Sequence, residues 1–296
     1  MRAEIRRIEE MMEAADYVTD PAIAMSVHLA MTLKKPLLIE GHAGVGKTEI
    51  AKVMARMLGT SLVRLQCYEG LDAAQALYEW NYPKQLLHIK LEEGTGHTLP
   101  EKEAAIFSPP FLIQRPLLQA ISATASAPVL LIDEIDRADE EFEAFLLEVL
   151  SEFQVTIPEL GTIKATKPPY VILTSNRVRE LSDALRRRCL YLWIDFPGFE
   201  KELRIVMRKV PGVNERLARE ISSFMETVRS VRLAKVPGVA ETLDWALALS
   251  SLHADHLDEE LVAETLGCVV KDVEDVKRVR RELATGGLGR FVAARG

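Results

Sequence analysis

The 296-residue sequence predicts an α/β fold, a parallel sheet flanked by helices and followed by a smaller all-α region. Three observations predict it. Short apolar runs alternate with helical periodicity between residues 36 and 194, the pattern of strands joined by crossover helices. The chemically distinctive residues fall at the carboxyl ends of those runs, where parallel sheets bind ligands. After Pro197-Gly198 every segment has helical period, so the expected division is an α/β domain over 1–197 and a helical domain over 198–296.

Each element has its own local reason. Residues 4–15 carry an amphipathic helical pattern, and Asp20-Pro21 forms an N-cap and N1 pair for a helix to Leu33. Pro36-Leu37-Leu38-Ile39 is a short buried strand, and a helix follows from Glu49 to Leu58, stopped by Gly59. Residues 61–66 form the second strand. Residues 67–127 read as less regular, with Tyr68, Tyr78, Trp80 and Tyr82, a loop at 92–97, and Ser108-Pro109-Pro110. Val129 to Ile132 is the third strand, with a helix from Glu140 to Leu150. Phe153 to Lys164 alternates around Pro158-Glu159-Leu160-Gly161, which predicts a β-hairpin. Tyr170 to Leu173 and Leu190 to Ile194 are the fourth and fifth strands.

With 48% apolar and 27% charged residues the chain can bury a core in each part and stay soluble. Lys and Arg number 37 against 44 Asp and Glu, a net charge of −7, which argues against a nucleic-acid partner. Cys67, Cys189 and Cys268 are far apart, so no C-x-x-C zinc pair or disulfide framework is indicated. The charged N-terminal decapeptide is no signal peptide, and no apolar run spans a bilayer. A cytoplasmic, reducing setting is expected.

Gly41-His42-Ala43-Gly44-Val45-Gly46-Lys47-Thr48 matches G-x-x-x-x-G-K-[ST] in full, between a strand and a helix. A glycine-rich turn there lets backbone N–H groups wrap a polyphosphate at the helix N-terminus. Gly41, Ala43, Gly44, Val45, Gly46, Lys47, Thr48 and Glu49 are the expected nucleotide contacts, with Lys47 on the β/γ-phosphates and Thr48 on Mg²⁺. Asp133-Glu134 ends the third strand: Asp133 suits Mg²⁺, and Glu134 suits an attacking water. That water base favours hydrolysis over transfer. Asn176 ends the fourth strand, where its amide can meet the γ-phosphate or the water. Arg186-Arg187-Arg188 precedes the fifth strand, and Arg188, then Arg187, is the choice for a cation that stabilises transition-state charge. Cys67 and the His253/His256 pair lack a third metal ligand at suitable spacing, so a packed thiol and a solvated helix face are expected.

These residues together resemble the AAA+ ATPases. Gly41–Thr48 correspond to Walker A, Asp133-Glu134 to Walker B, Asn176 to sensor 1 and Arg187/Arg188 to the arginine finger. The hairpin at 153–164 resembles that of the pre-sensor-1 hairpin clade, whose α/β domain also carries a helix-2 insert. Within the clade the chain is similar to the MoxR family and its CoxD-like subgroup, through residues 65–72, 133–143 and 238–245. The resemblance implies a P-loop NTPase with a helical lid, ATP and Mg²⁺ as cofactors, and hydrolysis to ADP and phosphate. It also implies a homo-oligomer, a hexameric ring with nucleotide between subunits. Its implied partners are a von Willebrand A-domain protein and a client metalloenzyme, as in maturation of a molybdenum–copper carbon monoxide dehydrogenase. One departure stands out: Ala240 occupies the expected position of the lid's sensor 2 arginine, with Lys235 or Arg232 as alternative cations. Two other readings compete with a remodelling chaperone. One is a nucleotide-gated binding platform with little turnover; the other, disfavoured by charge, is a DNA-acting AAA+ protein. No Asn-Lys-x-Asp guanine motif and no Leu-Ser-Gly-Gly signature occurs, which argues against a GTPase and an ABC ATPase.

Overall fold

The structure is a computed structural model that describes residues 2–92 and 98–291; the expected loop lies, from residue 93 to 97, outside the described residues. The chain begins with α1 (Arg2–Ala14), α2 (Pro21–Leu33), β1 (Leu37–Gly41), α3 (Lys47–Leu58) and β2 (Leu62–Gln66). It continues through α4 (Ala73–Leu77), β3 (Tyr78–Trp80), α5 (Tyr82–Leu91), α6 (Leu99–Ile106), β4 (Leu112–Gln114) and α7 (Pro116–Ile121). Then follow β5 (Val129–Asp133), α8 (Glu140–Glu152), β6 (Gln154–Ile157), β7 (Gly161–Lys164), β8 (Tyr170–Ser175), α9 (Asp183–Arg188) and β9 (Leu190–Ile194). The rest is helical: α10 (Phe199–Lys209), α11 (Glu215–Ser230), α12 (Val239–Ser251), α13 (Glu259–Thr265) and α14 (Val273–Phe291).

Two compact units result. One holds residues 1–11, 21–40 and 50–192; the other holds 12–20, 41–49 and 193–296. The first is organised by a five-stranded sheet in the order β2-β5-β8-β1-β9, in which the β2–β5, β5–β8 and β8–β1 pairs are parallel. All of β5, and all of β8 after Tyr170, is buried. This is why these strands read as unbroken apolar runs rather than alternating ones. Their core includes Leu130, Ile132 and Leu173 with Phe142 and Leu146 of α8. Register then fixes the chemistry: Gln66 lies beside Asp133, Ile132 beside Leu173, and Glu40 beside Ser175. The polar carboxyl ends of four strands therefore share one edge of the sheet.

The hairpin expected at 153–164 forms as antiparallel β6–β7, closing with Ile157 beside Gly161, and Pro158 and Glu159 are exposed at its tip. The described residues of 67–127 form more regular structure than their sequence suggests. Their helices are short, and α6 buries no side chain, so helical periodicity is faint. Capping stands in for it: Asp72 accepts from Gln75 N at 2.7 Å and Asn81 from Lys84 N at 3.1 Å.

The second unit has its own core, built on Trp245, Phe224 and Phe291. Phe224 and Trp245 rings lie 4.9 Å apart, and the Trp245 indole donates to Thr265 Oγ1 at 2.8 Å. Buried Glu202 takes both terminal nitrogens of Arg229, at 2.5 and 2.7 Å, and Thr242 donates to the same carboxylate at 2.6 Å. Gly41–Glu49 belongs to this unit too, and within it the backbone of Gly44 meets the start of α12, as described next.

Candidate functional site

The phosphate loop leaves β1 after Gly41 and ends where α3 begins at Lys47. Gly44 and Gly46 take positive φ, +74° and +89°, the turn a nest of N–H groups needs. Lys47 is buried, and its Nζ donates to the carbonyls of Gly41 at 2.9 Å and His42 at 2.6 Å. The loop is also gripped from α12. Val239 N and Ala240 N donate to Gly44 O at 2.9 and 3.2 Å. The approach is close enough that a Cβ on Gly238 would lie 2.7 Å from Ala43 O. His42 stacks on Phe196 with ring centroids 4.5 Å apart.

The acidic end of β5 is built from neighbouring strands. Asp133 is buried; Thr174 Oγ1 donates to its Oδ1 at 2.5 Å, and Arg64 donates to Oδ2 at 2.6 and 3.1 Å. Glu134 adopts a left-handed backbone, φ 55°, and its N–H donates to Thr174 Oγ1 at 2.9 Å. Thr174 thus orients both acids at once. The Glu134 carboxylate accepts from Asn176 Nδ2 at 3.3 Å and Gln66 Nε2 at 3.2 Å, and pairs with Arg137 at 2.9 Å. Asn176 is itself placed by buried Asp136, whose Oδ2 accepts Asn176 N at 3.1 Å and Val178 N at 2.8 Å. Of the acids and amides singled out from sequence, Asp133, Glu134 and Asn176 are brought together.

Arg187 and Arg188 are exposed at the end of α9. Arg186 is half-buried and turned inward, onto Glu40. Cys67 is a packed thiol pushed up to about 12 by burial and by Asp133, Asp136 and Glu134. His253 and His256 lie in the turn after α12 rather than on a helix face; His256 is half-exposed and pairs with Asp255, and no metal-binding cluster of His, Cys, Asp or Glu occurs among the described residues. Also among the described residues, no helix is long and apolar enough to cross a membrane.

Sequence reasoning gave no role to Arg64, Gln66, Asp136, Arg137 or Thr174. A signal was present for Arg64 and Gln66. They stand at i and i+2 on β2, hence on one face, and parallel register carries Gln66 to Asp133. That register is unknown until the sheet order is.

A family model described as AAA domain (dynein-related subfamily) matches residues 36–189, from the strand before the phosphate loop to the end of the arginine helix. This chain belongs to that family. Family membership carries its reaction, so this AAA protein binds nucleotide and hydrolyses ATP. It is similar to the denitrification regulatory protein NirQ of Pseudomonas aeruginosa, 22% identical over 214 residues, 70% of this chain and 72% of that one. It is similar to protein NorQ of Paracoccus denitrificans, 22% identical over 262 residues, 86% and 87% of the two chains. Both likenesses support the MoxR-type assignment drawn from the motifs. A point mutant of Thermotoga maritima RuvB shares the fold, with a TM-score of 0.50 at 16% identity, covering 98% of this chain and 83% of that one.

Proposed function

We propose that this AAA protein is a MoxR-type chaperone that uses ATP hydrolysis to remodel a protein partner. The observation that carries the reading is the held pair at the end of β5. Asp133 is fixed by Thr174 and Arg64, while Glu134 is aimed by Asn176 and Gln66. Glu134 takes the proton of the attacking water, and Asn176 aligns that water with the γ-phosphate. Lys47, with Gly41, Ala43, Gly44, Val45, Gly46, Thr48 and Glu49, holds the triphosphate. Thr48 and Asp133 are the residues that would hold Mg²⁺, a hard cation that takes oxygen donors and would neutralise phosphate charge. Residues 198–296 act as the lid.

Exposed Arg187 and Arg188 fit a finger offered to a neighbouring subunit in a closed homo-oligomeric ring, a hexamer as in related ATPases. The hairpin tip at Pro158 and Glu159 is the client-facing element. The client is a metalloenzyme and the co-chaperone a von Willebrand A-domain protein. The likeness to the denitrification regulatory protein NirQ supports a chaperone-like ATPase, and the CoxD-like strings point to a molybdenum–copper enzyme as the client. The setting is the cytoplasm.

Glu134→Gln tests the core of the reading. ATP affinity should stay within about threefold of wild type, while single-turnover hydrolysis slows by about 10²-fold or more. Hydrolysis at the wild-type rate would remove Glu134 from the mechanism.

A further inference from the structure

Glu40 is the last residue before the phosphate loop, and it is only 1% exposed. A buried carboxylate is costly unless paired. Here Arg186 Nη2 lies 3.2 and 3.3 Å from its two oxygens, Tyr191 Oη donates at 3.0 Å and Ser175 Oγ at 3.5 Å. Arg177 Nε stands 3.8 Å away, and Arg177 N donates to Ser175 Oγ at 3.0 Å. The partners come from β8, the turn after it, α9 and β9. An apolar cluster of the same volume would be as stable or more so. What charge adds is direction, and three of the residues it joins adjoin ones with a proposed role. Gly41 follows Glu40, Asn176 follows Ser175, and Arg187 and Arg188 follow Arg186.

α9 has six residues, and Ser182 caps its start by accepting from Leu185 N. Leu185 is buried in the core, and Ser182 N donates to Glu143 at 2.9 Å. With about 100° of rotation per residue, fixing Leu185 and Arg186 inward turns the next two outward. Arg187 and Arg188 are the exposed pair. We propose that Glu40 is a positioning residue for the arginine finger, acting through Arg186 to set how α9 presents Arg187 and Arg188 to the neighbouring subunit. This rests on the trans-acting finger proposed above.

Mixed assemblies test it. A Glu40→Gln subunit keeps its own Glu134, and in a mixture it receives the intact finger of a Glu134→Gln neighbour. Alone, Glu40→Gln should lose at least tenfold in kcat, with affinity for a fluorescent ATP analogue within threefold of wild type. Mixing it with an equal amount of Glu134→Gln should raise turnover per Glu40→Gln subunit at least threefold above that of Glu40→Gln alone. Arg186→Ala breaks the same tether from the other end and serves if Glu40→Gln fails to fold. Arg186→Lys keeps the charge and should retain more turnover than Arg186→Ala. A tenfold loss of ATP affinity in Glu40→Gln and in Arg186→Ala would assign the tether to the phosphate loop and overturn the proposal. So would no gain on mixing while a parallel Arg188→Ala and Glu134→Gln mixture recovers; the ring then stands without Glu40. If that parallel mixture also fails to recover, the trans-acting finger falls and the Glu40 proposal falls with it.

Discussion

At the end of β5 the two carboxylates are held by side chains from other strands, whereas the phosphate loop is held largely by backbone. Asp133 and Glu134 depend on the hydroxyl of Thr174, the guanidinium of Arg64 and the amides of Gln66 and Asn176. In the loop, Lys47 donates to two main-chain carbonyls, and Gly44 O is bonded by main-chain N–H groups of α12. The difference teaches where each region is vulnerable. A side-chain network fails when a polar atom is removed and the shape is kept. A backbone clamp ignores such changes and fails when a Cβ is added where two main chains touch.

The sharpest break is Thr174→Val, which keeps the shape and removes the Oγ1 shared by both acids. It leaves Asp133 Oδ1 and Glu134 N each short of a bond, at about 1–3 kcal/mol for a buried group left unsatisfied. Turnover at saturating ATP should fall at least tenfold, with ATP affinity within about threefold of wild type. An equal loss of affinity would show that the two regions are not held independently. Steady-state kinetics beside an ATP-analogue titration reads both.

The converse substitution is Gly238→Ala. The added Cβ meets Ala43 O at 2.7 Å and Gly44 Cα at 2.9 Å, so main chain must move. Overpacking of this kind costs about 1–3 kcal/mol, and ATP affinity should fall about tenfold while kcat at saturation changes less. Unchanged affinity would show that the contact of α12 with the loop has no part in binding. That contact also bears on the missing sensor 2 arginine, because Ala240 meets the loop with its N–H rather than with a side chain.

The smallest effect lies in the helical unit. Asp275 accepts from the N–H groups of Ala234 and Lys235 at 3.0 and 2.9 Å. Those two bonds, that of Ala234 first, hold its carboxyl below the usual aspartate value of 3.8. A depressed folded value means stability that is present above the unfolded pKa and lost as pH falls through the folded one. Asp275→Asn should therefore lower the urea midpoint near pH 6, and the gap to wild type should close below about pH 4. A gap that stays constant with pH would mean that the carboxylate charge contributes nothing.

Much of this was readable from the chain because it is local. The phosphate loop needs glycines at adjoining positions between a strand and a helix, so eight consecutive residues declare it. The Asp133-Glu134 pair is visible because a fully buried strand is apolar until its end, which makes the first acid conspicuous. The hairpin and the all-α region follow from period alone. The short helices α4, α5 and α6 were hidden, since helices of five to ten residues that bury few side chains leave little periodic signal. What the tertiary structure decided is which distant residues hold these motifs in place. Thr174, Arg64, Gln66 and Asp136 become partners of the acids only once β5 lies between β2 and β8, and Glu40 meets Arg186 across 146 positions of sequence. Gly238 reaches Gly44 from almost two hundred residues away. A sequence states the chemistry of each residue and the period of its own segment. Hydrogen bonds are made by proximity, which register and packing supply only after the strands have chosen their neighbours.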